Sequence, residues 1–198
     1  WREKFGSFAN LWELKGKTVG IIGLGSIGRE VARLCKAFEM RVLAIRRSTA
    51  VRKTNVENVD ILFPKSDIDL LLKQSDLVVL SVPGTTDTSC LIGERELHLL
   101  GPQGYLINIG RGSVIDEPVL VQGLLEGWIK GVALDVFQVE PLPDTSPLWW
   151  LPNVIMAPHI SGDAIGYESN MARLLSDNLD KFIRGDKLVN EVDKTLSY

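Results

Sequence analysis

The chain has 198 residues, enough for one good-sized domain or for a domain plus a fragment of another, and its 45% hydrophobic content can fill a packed core. With 22 basic and 25 acidic residues its net charge is −3, which gives no overall pull toward nucleic acid or an anionic membrane. No apolar run is long enough to span a bilayer, and the opening Trp1-Arg2-Glu3-Lys4 is neither a signal peptide nor an initiator sequence, so the chain is expected to begin inside a longer protein. Cys35 and Cys90 are too few and too scattered for a disulfide framework or a metal site; they read as buried or half-buried thiols of a reducing, cytoplasmic compartment.

Residues 1–16 place Trp1, Phe5, Phe8, Leu11 and Trp12 at roughly helical spacing, as in a packed connecting helix. A short apolar run at 18–22 leads into Gly23-Leu24-Gly25-Ser26-Ile27-Gly28, and a helix is expected over 27–38, with apolar residues at 27, 31, 34, 35 and 38. That order is strand, glycine turn, helix. Gly23 permits a tight turn, Gly25 lets backbone approach a pyrophosphate, and Gly28 lets the helix pack close to the strand. The helix N-terminus offers unpaired N–H groups to phosphate.

Further strands are expected at 41–45, 77–82, 105–109, 131–134 and 154–157, with a short one at 59–63 inside the poorly patterned stretch 48–63. They are rich in Val, Ile and Leu and do not alternate, as in strands buried on both faces. Helical patterns fall at 67–74, 94–100 and 117–126, the last with Asp116 as N-cap and Pro118 in its first turn. A final helix runs from about Gly166 to Ile183 and stops at Gly185. Alternating strands and helices imply right-handed crossovers and a mostly parallel α/β sheet.

Ligands of such sheets bind at the carboxyl ends of the strands. The residues expected there are Arg46-Arg47-Ser48, Pro83-Gly84, Gly110-Arg111-Gly112, Asp135 followed by Glu140-Pro141, and Pro158-His159. Arg, Asp, Glu and His thus arrive at one edge from separate loops. His98, inside a helical pattern, reads as structural, and Trp149-Trp150 as packing or as lining near a subunit interface.

The stretches 19–29 (VGIIGLGSIGR), 76–92 (DLVVLSVPGTTDTSCLI), 106–116 (LINIGRGSVID), 131–143 (GVALDVFQVEPLP) and 152–162 (PNVIMAPHISG) resemble the NAD(P)-binding part of the D-isomer-specific 2-hydroxyacid dehydrogenases. The likeness runs over nearly the whole chain, through Asn190-Glu191-Val192-Asp193 to Tyr198, and is strongest to the glyoxylate and hydroxypyruvate reductases. It implies a Rossmann-type doubly wound parallel sheet over residues 1–165. Residues 166–198 would be the C-terminal helix and tail of a flavodoxin-like substrate domain whose larger part lies upstream.

The resemblance assigns Arg111, Glu140 and His159 to the active site. In reduction of a 2-oxo acid the carbonyl oxygen becomes an alkoxide. His159 as imidazolium would protonate it, Glu140 would favour and orient that imidazolium, and Arg111 would grip the substrate carboxylate with its planar fork. No metal is required. For the cofactor, the resemblance implies contacts at Gly25, Ser26, Ile27 and Gly28, at Val82 and Pro83, and at Ile109, Gly110 and Arg111. Asp135 would meet the nicotinamide carboxamide, His159 and Gly162 would close that end, and Thr88 is a weaker assignment.

One departure bears on the cofactor. NAD-preferring members commonly end the second strand with an acid for the ribose 2′-hydroxyl. Here Ala44-Ile45-Arg46-Arg47-Ser48 holds none, and two arginines with a serine suit a 2′-phosphate. NADP(H) is favoured and NAD(H) remains possible. The expected partners are a small 2-oxo acid and a second copy of the chain in a homodimer, with no nucleic acid and no membrane. Two other readings stand beside this one: a D-lactate or phosphoglycerate-type dehydrogenase on the same scaffold, and a dinucleotide-sensing interaction module without turnover.

Overall fold

The computed structural model describes residues 13–192 and 194. The expected helix built on Trp1, Phe5, Phe8, Leu11 and Trp12 lies outside the described residues, as do Asp193 and Tyr198. The chain divides into two compact units, the first reaching Met156 and the second starting at Ala157.

The first unit is built on β1 (Thr18–Ile22), α1 (Ser26–Ala37), β2 (Arg41–Ile45), β3 (Lys53–Val56), β4 (Val59–Phe63), α2 (Ile68–Gln74), β5 (Leu77–Leu80), α3 (Glu94–Leu100), β6 (Tyr105–Asn108), α4 (Glu117–Glu126), β7 (Gly131–Leu134) and β8 (Val154–Met156). The strands form one sheet in the order β3-β4-β2-β1-β5-β6-β7-β8. Every pairing is parallel except β3 with β4. The order reverses between β1, which carries the glycine turn, and β5, so a crevice opens at the carboxyl ends of those two strands.

Side chains alternate between two packed faces, as the period of a strand requires. Val19, Ile21, Val42, Ala44 and Val79 join one core with Ala32 of α1. Ile22, Leu43, Ile45, Val78 and Leu80 join the other with Leu71 and Leu72 of α2, Leu97 of α3 and Leu120 and Leu124 of α4. Both faces of the central strands are therefore covered, which explains their unbroken apolar runs.

Three expectations need correcting. β5, β6 and β8 end one or two residues earlier than their apolar runs, because the last apolar residues leave the strand ladder at its carboxyl end. The α1 surface that is buried is Gly28 and Ala32, with Val31 and Cys35 partly buried, whereas Ile27, Leu34 and Phe38 of the expected apolar set are exposed. Small residues let α1 sit close to the sheet, and the larger ones project beside the contact. The stretch 48–63 holds a whole hairpin rather than a single strand. Glu57 and Asn58, at φ 55° and 64°, form its two-residue turn between the paired Val56 and Val59. Positive φ at both central positions is what a type I′ hairpin demands, and the usual glycine signal for it is missing here.

The hairpin is fastened by Asp60. Its carboxylate accepts from the buried Val42 N–H at 2.7 Å and from Lys36 Nζ at 2.9 Å. Burial alone would raise the Asp60 pKa, but the Val42 N–H and the Lys36 ammonium outweigh it and hold the carboxyl below its ordinary value. The charged form is therefore the one that stabilises the fold. Its contribution is present above the unfolded carboxyl pKa and is lost as pH falls through the lower folded value. Asp60→Ala should cost about 1–3 kcal/mol at neutral pH, because the Val42 N–H loses its acceptor. The difference between the two proteins should shrink on acidification, as read by urea unfolding at a series of pH values.

α4 starts where Asp116 accepts from Val119 N–H at 3.3 Å and ends at Gly127, φ 73°. In the second unit α5 (Tyr167–Arg184) stops at Gly185, also left-handed at φ 73°. Its Asn178 side chain both donates to Val189 O and accepts from Val189 N–H, at 3.0 and 2.8 Å, which pins the following turn to the helix. Among the described residues, no helix is long and apolar enough to cross a membrane.

Candidate active site

The glycine turn is tied to both neighbouring strands. The N–H groups of Gly23 and Leu24 both donate to Ile45 O at 3.1 Å, and Ser81 Oγ donates to Gly23 O at 2.8 Å. Gly23 takes φ 105°. Two of the glycines differ in what surrounds them. A Cβ on Gly28 would lie 2.1 Å from Gly23 O, so only glycine lets α1 start this close to the turn. A Cβ on Gly25 would meet nothing within 4 Å, so the space beside it is open. Among the described residues no side chain caps α1, and its first turn holds no acid. Gly25, Ser26 and Ile27 are exposed at that terminus, an arrangement that favours an anionic group.

Across the crevice, the loop after β5 carries Val82, Pro83 and Gly84. Thr88 is turned onto this loop, donating to Pro83 O at 2.6 Å and accepting from Thr85 N–H at 2.9 Å. Its hydroxyl holds the loop's shape. The loop after β6 is built around Asn108, which is fully buried. Its Oδ1 accepts from Gly110 N–H at 3.0 Å and its Nδ2 donates to Arg111 O at 2.9 Å. The sequence reading missed this residue. An asparagine at the end of a buried strand, just before Gly-Arg-Gly, was the available signal. Ile109 N–H donates to Leu80 O at 3.2 Å, keeping the loop beside β5, and a Cβ on Gly110 would lie 2.6 Å from Val82 O.

Arg111 is exposed, with Nη1 donating to Gly110 O at 2.7 Å. Next to it, a Cβ on Gly112 would lie 1.8 Å from Phe137 O. The β6 loop therefore presses directly against the loop after β7. There Asp135 is buried and its N–H donates to Asn108 O at 3.0 Å. Glu140 Oε1 accepts from Phe137 N–H at 2.9 Å, and Gln138 N–H donates to Glu117 Oε2 at 2.9 Å. The 137–140 segment is thereby shaped by carboxylates, one of which, Glu117, sequence reasoning did not single out.

After β2, Arg46 is half-buried while Arg47 and Ser48 are exposed. The chain has no acid at this point of the sequence, but the fold brings one from the hairpin: Arg46 Nη1 lies 3.2 Å from Glu57 Oε1. Sequence distance concealed that pairing.

In the first unit the structure thus gathers the glycine turn, Arg46, the Val82-Pro83 loop, Ile109 to Arg111, Asp135 and Glu140 onto the carboxyl edge of one sheet. His159 and Gly162 belong to the second unit. His159 has a left-handed backbone at φ 56°, unusual for a bulky residue. For the other residues singled out, the expected half-buried Cys35 and structural His98 agree with the structure, whereas Cys90 and Trp150 depart from expectation. Cys90 is exposed at a left-handed turn (φ 47°), while Cys35 is half-buried and burial pushes its thiol pKa up. Trp150 is 83% exposed, so packing does not account for it, and Trp149 Nε1 donates to Pro143 O at 3.0 Å. His98 stacks on Trp128 with ring centroids 4.3 Å apart, on the outer side of α3. Among the described residues no group of three or more His, Cys, Asp or Glu side chains could hold a metal ion.

Comparison with known proteins fits this geometry. The family model of the D-isomer specific 2-hydroxyacid dehydrogenase NAD binding domain matches residues 1–161. A glyoxylate reductase of Thermococcus gammatolerans is 45% identical over 174 residues, 88% of this chain and 51% of its own length. One from Pyrococcus horikoshii is 43% identical over 175 residues, again 88% of this chain and 51% of the relative. The chain thus spans about half the length of the curated relatives it matches. Among solved structures, a D-isomer specific 2-hydroxyacid dehydrogenase of Xanthobacter autotrophicus in complex with NADPH superposes with a TM-score of 0.88 at 31% identity, covering 100% of this chain and 79% of that one. An NADPH-dependent glyoxylate/hydroxypyruvate reductase of Sinorhizobium meliloti in complex with NADP gives 0.87 at 29% identity, covering 100% and 62%. On sequence and fold together, this chain belongs to the D-isomer-specific 2-hydroxyacid dehydrogenases and carries their NAD-binding domain.

Proposed function

We propose that the chain binds NADP(H), with NAD(H) as a weaker alternative, and serves in a protein of its relatives' length to reduce a small 2-oxo acid of the glyoxylate or hydroxypyruvate kind to the D-2-hydroxy acid. One observation carries this reading. The exposed Arg111 is held by Asn108 and Gly112 at the same sheet edge as an uncapped helix N-terminus. A guanidinium for a carboxylate and a cradle for a pyrophosphate thus face one crevice. The dinucleotide fits that cradle: among the described residues, the space beside Gly25 is open, and Arg46 Nε is buried without a hydrogen-bond partner.

A bound reduced nicotinamide supplies the hydride. The chain's own residues bind, orient and protonate. Gly23, Gly25, Ser26, Ile27 and Gly28 would hold the pyrophosphate. Arg46, Arg47 and Ser48 would take the adenosine ribose. Val82, Pro83, Ile109 and Gly110 would line the dinucleotide's path, with Thr88 fixing the loop, and Asp135 would serve the carboxamide. Arg111 would anchor the substrate carboxylate and polarise its carbonyl. His159 would donate the proton to the developing alkoxide, with Glu140 assigned as its acidic helper and Gly162 assigned to the nicotinamide end. In the same reading residues 1–165 are the dinucleotide domain and 166–198 belong to the substrate domain, and the protein works as a cytoplasmic homodimer. A clean monomer in sedimentation at micromolar concentration would count against the dimer.

The test is NADPH oxidation against a panel of 2-oxo acids, with this chain and with a protein of the relatives' full length. Glyoxylate or hydroxypyruvate should be turned over by the longer protein. Pyruvate or phosphohydroxypyruvate as the best substrate would move the assignment to the lactate or phosphoglycerate branch. Tight NADPH binding with no turnover of any acid would favour a dinucleotide-sensing module.

A further inference from the structure

The tip of the β3–β4 hairpin reaches a place that the dinucleotide reading leaves unexplained. Glu57 lies there between two arginines from other elements. Its Oε2 accepts from Arg29 Nε at 2.7 Å, and its Oε1 lies 3.2 Å from Arg46 Nη1. Arg29 stands on α1 just beyond the glycine turn. Arg46 immediately follows Ile45, whose carbonyl accepts from the N–H groups of Gly23 and Leu24. Three segments distant in sequence therefore converge beside the glycine turn.

The position of Glu57 is fixed by the fold. β4 runs parallel to β2 with Ile45 opposite Phe63, Asp60 clamps the hairpin to Val42 and Lys36, and the turn at 57–58 takes left-handed backbone. Burial tends to raise the Glu57 pKa, but the hydrogen bonds and charges of Arg46 and Arg29 outweigh it and hold the carboxyl below its ordinary value. Glu57 is thus a carboxylate at neutral pH. Meanwhile Arg46 Nε is buried with no hydrogen-bond partner among the described residues. The guanidinium is thus committed to Glu57 through Nη1, while its Nε stays unsatisfied inside the fold.

We propose that Glu57 sets the cofactor preference, competing with the 2′-phosphate of NADP(H) for the Arg46 guanidinium while leaving room for the uncharged 2′-hydroxyl of NAD(H). This rests on the dinucleotide-binding reading given above. A 2′-phosphate brings two negative charges and several acceptor oxygens that suit the Arg46 guanidinium, but to reach it the phosphate must displace the Glu57 carboxylate and remain near it. A 2′-hydroxyl brings no charge and can donate to the same carboxylate. An acid supplied by the hairpin tip thus tempers the preference that Arg46 and Arg47 would otherwise impose. It acts as a repulsive element against one of two close ligands.

The experiment is fluorescence titration of NADPH and NADH on the unmodified chain, on Glu57→Gln and on Glu57→Asn. The second variant also removes the charge and tolerates left-handed backbone better than glutamate. Each variant is first checked by thermal unfolding. Both should tighten NADPH by about fivefold or more, the lower range for coupled sites, with NADH unchanged or weakened. In an Arg46→Ala background the gain should vanish. Equal shifts for both dinucleotides, no shift, or a gain that persists without Arg46 would overturn the role of Glu57 while leaving dinucleotide binding intact. No binding of either dinucleotide to the unmodified chain would overturn both readings.

Discussion

In a protein of the relatives' full length, His159→Ala should lower turnover by about 10²–10⁴-fold while leaving NADPH affinity nearly unchanged. In the proposed reaction His159 would deliver its proton only as negative charge develops on the carbonyl oxygen, so its contribution would belong to the transition state and not to cofactor binding. Arg111→Ala should behave differently. In the same proposal that residue would anchor the carboxylate in the ground state and polarise the carbonyl, so KM should rise and kcat should fall together. Glu140→Gln tests the third assignment. If that carboxylate assists the proton transfer of the proposed reaction, kcat/KM should fall with NADPH affinity unchanged. An unchanged kcat/KM would remove Glu140 from the proposed machinery.

Gly112→Ala should be the most damaging single methyl addition in the first unit. Its Cβ would stand 1.8 Å from Phe137 O, a backbone atom that no side-chain rotation can move aside. One of the two loops must retreat, at a cost of about 3 kcal/mol or more at the upper end for overpacking. For a domain of this size that corresponds to a Tm lowered by roughly 6–12 °C. The retreat would also break the geometry in which Asn108 holds Arg111 O, so any folded fraction should bind a 2-oxo acid poorly. Gly25→Ala is the control. Its Cβ meets nothing within 4 Å, so the Tm should barely change. NADPH affinity should nevertheless fall, because the methyl fills the space through which the pyrophosphate approaches the backbone. If Gly25→Ala left affinity untouched, the cradle would have to lie elsewhere on the edge.

Much of the molecule was legible in the sequence, for reasons that are local. The short apolar runs of β1, β2 and β5–β7, rich in β-branched residues and bounded by turn signals, announced strands covered on both faces. Asp116 before Glu117-Pro118, and Gly185 after Arg184, marked helix ends through the needs of unpaired N–H and C=O groups. The glycine turn declared itself by its place between a strand and a helix, although the fold's own packing demands glycine at Gly23 and Gly28 and not at Gly25, and the residues following each strand named the edge where Arg111, Asp135 and Glu140 gather.

Only the tertiary structure decided the rest. β3 was illegible because Lys53, Thr54 and Asn55 are exposed and leave only the half-buried Val56 as an apolar mark, and because its turn is made by Glu57 and Asn58 in left-handed conformation without glycine. The same hairpin delivers a carboxylate to Arg46 across 11 residues and to Arg29 across 28, so a strand end that reads as purely basic is, in space, a mixed charge cluster. Asn108 became visible as the organiser of the Arg111 loop only once its burial and both its amide hydrogen bonds were known. The steric need for Gly112 arises from Phe137, 25 residues away, and not from its own turn. Local chemistry writes elements and their ends into the sequence. Which charges meet, and which backbones touch, follows from the order and register of strands in the sheet, and these are set by packing between segments far apart in the chain.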